Sequence, residues 1–419
     1  MTLGLSMKQA VFFVFFGVIY FILSISKIHI PNAVFSLIIT ILCLVYYFGF
    51  KNLDFRKISP KTIVIISIIF AIILFTRSQQ LESDITNYIL GARVAFLGHL
   101  NPYVTPYSEF KSDNLYGMFK DYGWRQYSYA YSPLLLYVSG ALLHLSGGNI
   151  WINIFLFRIL FFLTFIASVY IMRKLTDDPR TLYLYAINPI ILNELVREAH
   201  VESLLILLLL SGLYLFKRGK YFLAYLLFLA LLLIKIYFLL FIPFFLLFLF
   251  KLKKPVFKTF ILFCISGLII LIIFYLPFWR GMATFSTVSE LLGNSSYQII
   301  TFNFLSVLLM PLVAKLYPDP YQNYAFSGKM LGLIGIIIII FIAYKLFKDS
   351  KSEIFSFVKY ISAAYFVFLF FLVNWFFPHY ATVLLLLLTL LASYKLKLYS
   401  KLTLILSLYC SLYYMILRM

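Results

Sequence analysis

Acidic residues are scarce in this chain. It has 15 Asp and Glu against 35 Lys and Arg in 419 residues, and charged residues of both signs make up only 12%. A soluble domain carries about 25%. With 63% hydrophobic residues and a mean hydropathy of +0.98, the chain cannot hide its apolar surface from water. That excludes a soluble globular protein and implies a polytopic membrane protein. The three cysteines (Cys43, Cys264, Cys410) are far apart in apolar segments, which excludes a disulfide framework and a cysteine-based metal site. There is no Walker loop, HExxH, GxSxG or paired CxxC. No internal repeat is visible, which disfavours a transporter built from inverted repeats.

What is present is long apolar runs. In hydrocarbon the backbone must satisfy its own polar groups, leaving helices or a closed barrel, and continuous rather than alternating runs read as helices. Candidate spans are 9–26, 33–50, 62–76, 150–172, 182–196, 203–216, 221–236, 238–250, 258–277, 331–345, 355–372, 381–394 and 400–417. The first run lacks a small-residue cleavage site and reads as a span rather than a signal peptide. Several runs of about 15 residues reach only ~22 Å, short of a ~30 Å core, so some helices are expected to stop at a recessed cavity.

The net charge of +20 invites a nucleic-acid reading, but its distribution argues against one. Basic clusters fill short breaks between runs: Lys51/Arg56/Lys57/Lys61, Arg173/Lys174/Arg180, Lys217/Arg218/Lys220, Lys251/Lys253/Lys254/Lys258, Lys345/Lys348/Lys351/Lys359 and Lys395/Lys397/Lys401. The same breaks hold only Asp54, Asp177, Asp178, Asp349 and Glu353. By the positive-inside rule they are cytoplasmic, as is the N-terminus. Segments 133–146 and 303–316 would reverse that parity as spans, so they read as interfacial or re-entrant pieces outside. Glu82, Asp84, Glu109, Asp113, Asp121, Glu194, Glu198, Glu202, Glu290 and Asp319 then all fall outside or at outer helix ends, with the long polar segments 77–132 and 278–330. The expected fold is an all-α bundle of about 13 transmembrane helices whose two long extracytoplasmic loops carry interfacial helices.

The outer face offers these candidates. Asp84 shares a helix face with Tyr88, Gly91 and Ala95, and the small residues leave room for something to approach; Arg93 points the other way. The bland alternative for Asp84 is a carboxylate complementing a helix N-terminus. Asn101-Pro102-Tyr103 ends that helix. The Tyr and Trp side chains of 116–137 read chiefly as an interfacial belt. In NPIILNELVREAHVES (188–203), spacing pairs Glu194 with Arg197 and puts Glu198 near Glu202, either as a salt-bridge lattice or with Arg197 or His200 on an anion. Lys235, beside Tyr237, interrupts thirty apolar residues. A mid-helix lysine costs about 2.5–3.5 kcal/mol, so it belongs at the outer tip of a hairpin, where it either snorkels or binds a phosphate. Arg280 in PFWRG and His379 in NWFFPHY are further anion candidates, against aromatic-belt readings. One sequon, Asn294-Ser295-Ser296, lies outside.

The order of short motifs resembles the GT-C superfamily of integral membrane glycosyltransferases, in particular the polyprenyl-phosphate-mannose-dependent α-mannosyltransferases. These include glycosylphosphatidylinositol mannosyltransferase I and the bacterial phosphatidylinositol mannoside enzymes. The string runs from Asp84 through Tyr88, Ala92-Arg93, Gly98, Asn101-Pro102-Tyr103 and Tyr129-Ala130-Tyr131-Ser132-Pro133-Leu134-Leu135. It continues with Asn188-Pro189, the His200/Glu202 region, Lys235-Ile236-Tyr237 and Trp375–Tyr380. The resemblance covers roughly 62–390. It divides the chain into two extra N-terminal helices (1–61), a catalytic transmembrane domain (62–399, outer loops 77–149 and 278–330) and a last helix (400–419). Where relatives carry Asp-x-Asp, this chain has Glu82-Ser83-Asp84.

The resemblance implies inverting transfer of a hexose, mannose foremost, from a polyprenyl-phosphate donor to a lipid or glycan acceptor on the extracytoplasmic face, and the richness in Lys, Ile and Tyr points to a prokaryotic plasma membrane. Asp84 is the implied catalytic base. Lys235, Arg197, His200, Arg280 and His379 form the pool for the donor phosphate, and Glu82, Tyr88, Arg93, Glu202 and Tyr237 the pool for substrate. No metal ligand is assigned and no cofactor is required, although a divalent metal is compatible. The partners are the donor, the acceptor and membrane lipids, without nucleic acid. The competing class is a lipid-linked oligosaccharide flippase or other transporter, which would spread polar residues through the depth of the spans; here they gather at outer ends, apart from Arg158.

Overall fold

The computed structural model describes residues 5–25, 32–76, 84–251, 257–287, 304–349, 353–373 and 376–417. Among these, seventeen α-helices and no strands form the chain. They are α1 (Met7–Ile25), α2 (Asn32–Asn52), α3 (Pro60–Phe75), α4 (Asp84–Phe96), α5 (Pro133–Leu145), α6 (Ile150–Leu175), α7 (Pro179–Ala186), α8 (Pro189–Leu192) and α9 (Glu202–Lys217). Then follow α10 (Tyr221–Leu232), α11 (Phe241–Lys251), α12 (Phe257–Tyr275), α13 (Phe304–Val313), α14 (Pro320–Lys348), α15 (Ile354–Val367), α16 (Pro378–Ala392) and α17 (Leu396–Leu417).

Many helix starts are written locally. Ser59-Pro60, Asp178-Pro179, Asn188-Pro189 and Asp319-Pro320 each put a capping side chain before a proline at the first helical position. The cap oxygen accepts a backbone N–H that the helix leaves unpaired, and proline has no N–H to lose there.

Among the described residues, six helices are long and apolar enough to cross a membrane: Met7–Ser24, Ala33–Asn52, Ile150–Leu175, Phe260–Phe278, Gln322–Lys348 and Ile354–Leu372. Five shorter apolar helices, including Pro60–Phe75, Tyr221–Leu232 and Pro378–Ala392, fall under that length. The expected span 182–196 is broken. Helix α7 stops at Ala186, Asn188-Pro189 starts a new turn, and residues 193–197 widen into a π-helix. The path from Pro189–Arg197 into Glu202–Lys217 bends by 115°. Within the segments 133–146 and 303–316, Pro133–Leu145 and Phe304–Val313 are helical, as α5 and α13.

The central packing joins α6 to α9, α9 to α10, α16 to α17, and α17 back to α2. Its core is aromatic and aliphatic, with Phe157, Phe161, Phe165, Tyr183, Tyr185 and Phe228 fully buried. The last helix is thus a wall of the bundle rather than an appendage. Arg158, the intramembrane exception, donates to the Phe75 carbonyl (2.7 Å) and lies over its ring, closing the C-terminal end of α3.

Candidate active site

Four elements converge where the bent segment 193–202 meets the starts of α4 and α16 and the turn at Lys235. The bend itself presents the key side chain. Asn193–Arg197 is a π-turn, and Ala199 follows in the left-handed region (φ 56°), uncommon for a residue with a Cβ. Such widened and strained backbone concentrates at functional sites. Here it turns His200 back toward the chain, with the His200 N–H on the Glu194 carbonyl (3.0 Å).

His200 is the hub. Its Nδ1 lies 3.1 Å from Asp84 Oδ2 and its Nε2 3.2 Å from Glu194 Oε2. Its ring stacks on that of His379, centroids 4.2 Å apart. His379, second residue of α16, has its Nδ1 3.9 Å from Glu194 Oε2. Glu194 is buried and braced further by Asn193 Nδ2 (2.7 Å) and by the Tyr414 hydroxyl of α17. Asp84, at the first turn of α4, is the most open member, its side chain 30% exposed. Burial alone would raise its carboxyl, but the hydrogen bond and charge of His200, with the more distant charge of Lys235, outweigh that and hold it down at about 2. For His200, burial works against the charged form, yet the two carboxylates lift its pKa well above the usual imidazole range.

The second element is Lys235, an extended residue between α10 and the short turn Ile236–Leu240. It stands at a break between two apolar helices, as the cost of a mid-helix charge predicts. Its Nζ donates to Glu202 Oε1 (2.5 Å), as does the Tyr237 hydroxyl (3.3 Å). The rings of Tyr131, Tyr237 and Tyr380 surround the ammonium at 4.8–5.6 Å. The N–H groups of Ser132 and Leu134 donate to the Ile234 and Leu233 carbonyls (3.1 and 2.9 Å), tying the start of α5 to this turn. Glu202 is fully buried, and its Oε2 has no hydrogen-bond partner. An apolar cavity of about 390 Å³ opens beside the same turn, lined by Leu232, Ile236, Leu239, Leu271, Tyr275 and Trp279 among others.

Of the residues singled out in the sequence, Asp84, His200, His379, Lys235, Glu202 and Tyr237 are thus gathered, with Tyr88 buried edge-on against Tyr131. Others stand apart. Arg93 is closed into a clamp: Nε and Nη2 donate to Asp113 (2.6 and 2.8 Å), Nη2 also to Asn114 (2.6 Å), and Nη1 to the Gly148 carbonyl (3.0 Å). Arg197 donates to Asn193 (3.3 Å) and pairs with Glu198, its sequence neighbour, while lying over Phe35. Glu194, expected on Arg197, turns to His200 instead because the π-turn shifts it off the i, i+3 register. Arg280 is exposed, on a turn where its N–H bonds Thr284 Oγ1 (2.8 Å). Glu82, Glu290 and the sequon at Asn294 lie outside the described residues.

A further expectation is corrected. The space beside Gly91 is not left for a ligand. A Cβ there would come within 2.2 Å of the Tyr129 ring, so the glycine admits that tyrosine. Asn101-Pro102 is a staple, Asn101 Nδ2 bonding the Phe278 carbonyl (2.7 Å) and the Pro102 carbonyl accepting from Tyr129 N–H (2.7 Å). Sequence reasoning missed Tyr414 and gave Glu194 no role at a centre. The carboxylate was visible, but nothing local ties residue 414 to it.

A family model for the alpha-(1->6)-mannopyranosyltransferase N-terminal domain matches residues 24–251, more than half of the chain. The match starts ahead of residue 62 and takes in α2. It contains Asp84, Glu194, His200, Glu202 and Lys235, while His379 and Tyr414 lie beyond it. No curated protein and no solved structure matches the chain.

Proposed function

The chain belongs to the alpha-(1->6)-mannopyranosyltransferase family and is a mannosyltransferase, and from that premise we propose that it takes mannose from a polyprenyl-phosphate carrier and inverts it onto a lipid-linked or glycan acceptor on the extracytoplasmic face. The observation that carries this reading is the pairing of two unlike places. A half-open carboxylate, Asp84, stands in the buried cluster, and a caged cation, Lys235, stands beside an apolar cavity.

Each part has a task. The isoprenoid tail lies along the cavity wall of Leu239, Leu271 and Trp279, which leaves the phosphate at the Lys235 turn. Lys235 then stabilises the charge that grows on the phosphate as the glycosidic bond breaks. The phosphate departs as a stable anion, so no general acid is needed. Asp84 receives the acceptor's proton. A carboxylate held low by His200 is a weak base, but the attacking hydroxyl becomes strongly acidic once its oxygen bonds to the anomeric carbon, so late transfer to a weak base suffices. Glu202, with one oxygen unpartnered, accepts a sugar hydroxyl.

The test uses purified full-length protein in lipid vesicles, offered polyprenyl-phosphate mannose or a nucleotide-linked mannose. Transfer from the first alone, with inversion at the anomeric carbon by NMR, is the expected result. Transfer from the nucleotide sugar, or retention, would overturn the donor or the mechanism. Single-cysteine labelling at position 84 in intact cells tests the side: reaction with an impermeant reagent is expected.

A further inference from the structure

We propose that Asp84, His200 and His379 form a binding site for a divalent transition-metal ion, Zn²⁺ foremost, with Glu194 as its orienting outer carboxylate. The ligand atoms of these three residues already lie within 4.8 Å of one another. Around Zn²⁺, with bonds of about 2.0–2.2 Å, tetrahedral ligands stand roughly 3.3–3.6 Å apart. Closing from 4.8 Å to that spacing asks the side chains to move by about 1 Å.

The geometry around His200 is more specific than the clustering. Its Nδ1 faces Asp84 Oδ2, where a shared ion would sit, while the opposite nitrogen, Nε2, is held 3.2 Å from Glu194 Oε2. Metal-bound histidines characteristically give their second nitrogen to a carboxylate, which fixes the tautomer and strengthens the ligand. That carboxylate is itself fixed here, by Asn193 and by Tyr414 from the last helix. The stack of His379 on His200 brings a second imidazole to the same place. Two imidazoles and one carboxylate favour Zn²⁺ over Mg²⁺ or Ca²⁺, which take oxygen ligands. Three protein ligands leave at least one position open, as in catalytic rather than structural zinc sites. The site stands on these residues alone. Its use in transfer, by holding a phosphate oxygen or the acceptor hydroxyl in the open position, rests on the proposed function.

The experiment reads the metal directly. Full-length protein in detergent is stripped with a chelator, re-metallated with Zn²⁺ and analysed for metal content. Affinity follows from competition with a chromophoric chelator, and Co²⁺ substitution supplies a visible spectrum sensitive to nitrogen and oxygen ligation. One equivalent is expected. His379→Gln and Asp84→Asn, each monodisperse on gel filtration, should lose it, and Glu194→Gln should weaken it about 10–100-fold. A His99→Gln/His144→Gln double variant, altering histidines outside the cluster, should bind as the parent does. Substoichiometric binding by the parent, or full affinity retained by both His379→Gln and Asp84→Asn, overturns the site. Because these readouts involve no sugar, a failure of the donor reading leaves the metal result intact, and the reverse.

Discussion

The two ends of α4 carry opposite charges with opposite fates. At its C-terminal end Arg93 is saturated, its donors spread over Asp113, Asn114 and Gly148. At its N-terminal end Asp84 shares one oxygen with a histidine and keeps 30% of its side chain open. Both look like costly charges in an apolar chain, and both belong to the motif that the family resemblance rests on. The difference teaches that burial of charge does not mark a reaction centre. A closed, fully bonded ion pair holds loops together. The centre proposed here keeps unfilled valence instead, at Asp84 and at the unpartnered oxygen of Glu202.

The sharpest break of this comparison is Asp84→Asn, expected to lower mannosyl transfer by about 10²–10⁴-fold while the protein still folds. Wild-type transfer in that variant removes Asp84 from the chemistry. Arg93→Met should do the reverse. Orphaning the buried Asp113 is expected to cost about 3–5 kcal/mol of stability, seen as a lower thermal midpoint, with transfer per folded molecule near that of the parent. A selective loss of transfer without loss of stability would move Arg93 into the site. Lys235→Met should cost about 10²–10³-fold in transfer, the scale of a lost charge-stabilising contact, and Lys235→Arg should restore part of it. Smallest is Tyr414→Phe, which removes the hydroxyl's bond to Glu194 and the bond it accepts from Asn193 Nδ2 (3.1 Å), each worth about 0.5–1.5 kcal/mol. It should lower Zn²⁺ affinity by a few-fold in the same competition assay, and an unchanged affinity would detach α17 from the centre.

Residue type and spacing foretold more of the fold than of the site. Apolar runs mark the helices, but the run 182–196 was read as one span although Asn188-Pro189, a capping residue followed by proline, starts a new helix inside it. The cost of a charged residue in mid-helix rightly put a break at Lys235. Regular helical spacing misled between 193 and 200: a π-turn shifts the register by which Glu194 was paired with Arg197, and the left-handed Ala199 turns His200 back onto Glu194. The same kind of error treated Gly91 as open space, where a tyrosine ring from a distant loop fills it.

The sequence by itself determined that this chain is a helical membrane protein, roughly where its apolar helices run, and that Asp84, His200 and Lys235 are worth suspicion. These are local matters of hydropathy and the cost of isolated charge. Only the tertiary structure decided which charges meet. Residues 84, 200, 379 and 414 are joined through packing between helices far apart in the chain, and no periodicity within one segment encodes a contact with another. That packing closed Arg93 into a clamp and left Asp84 half open.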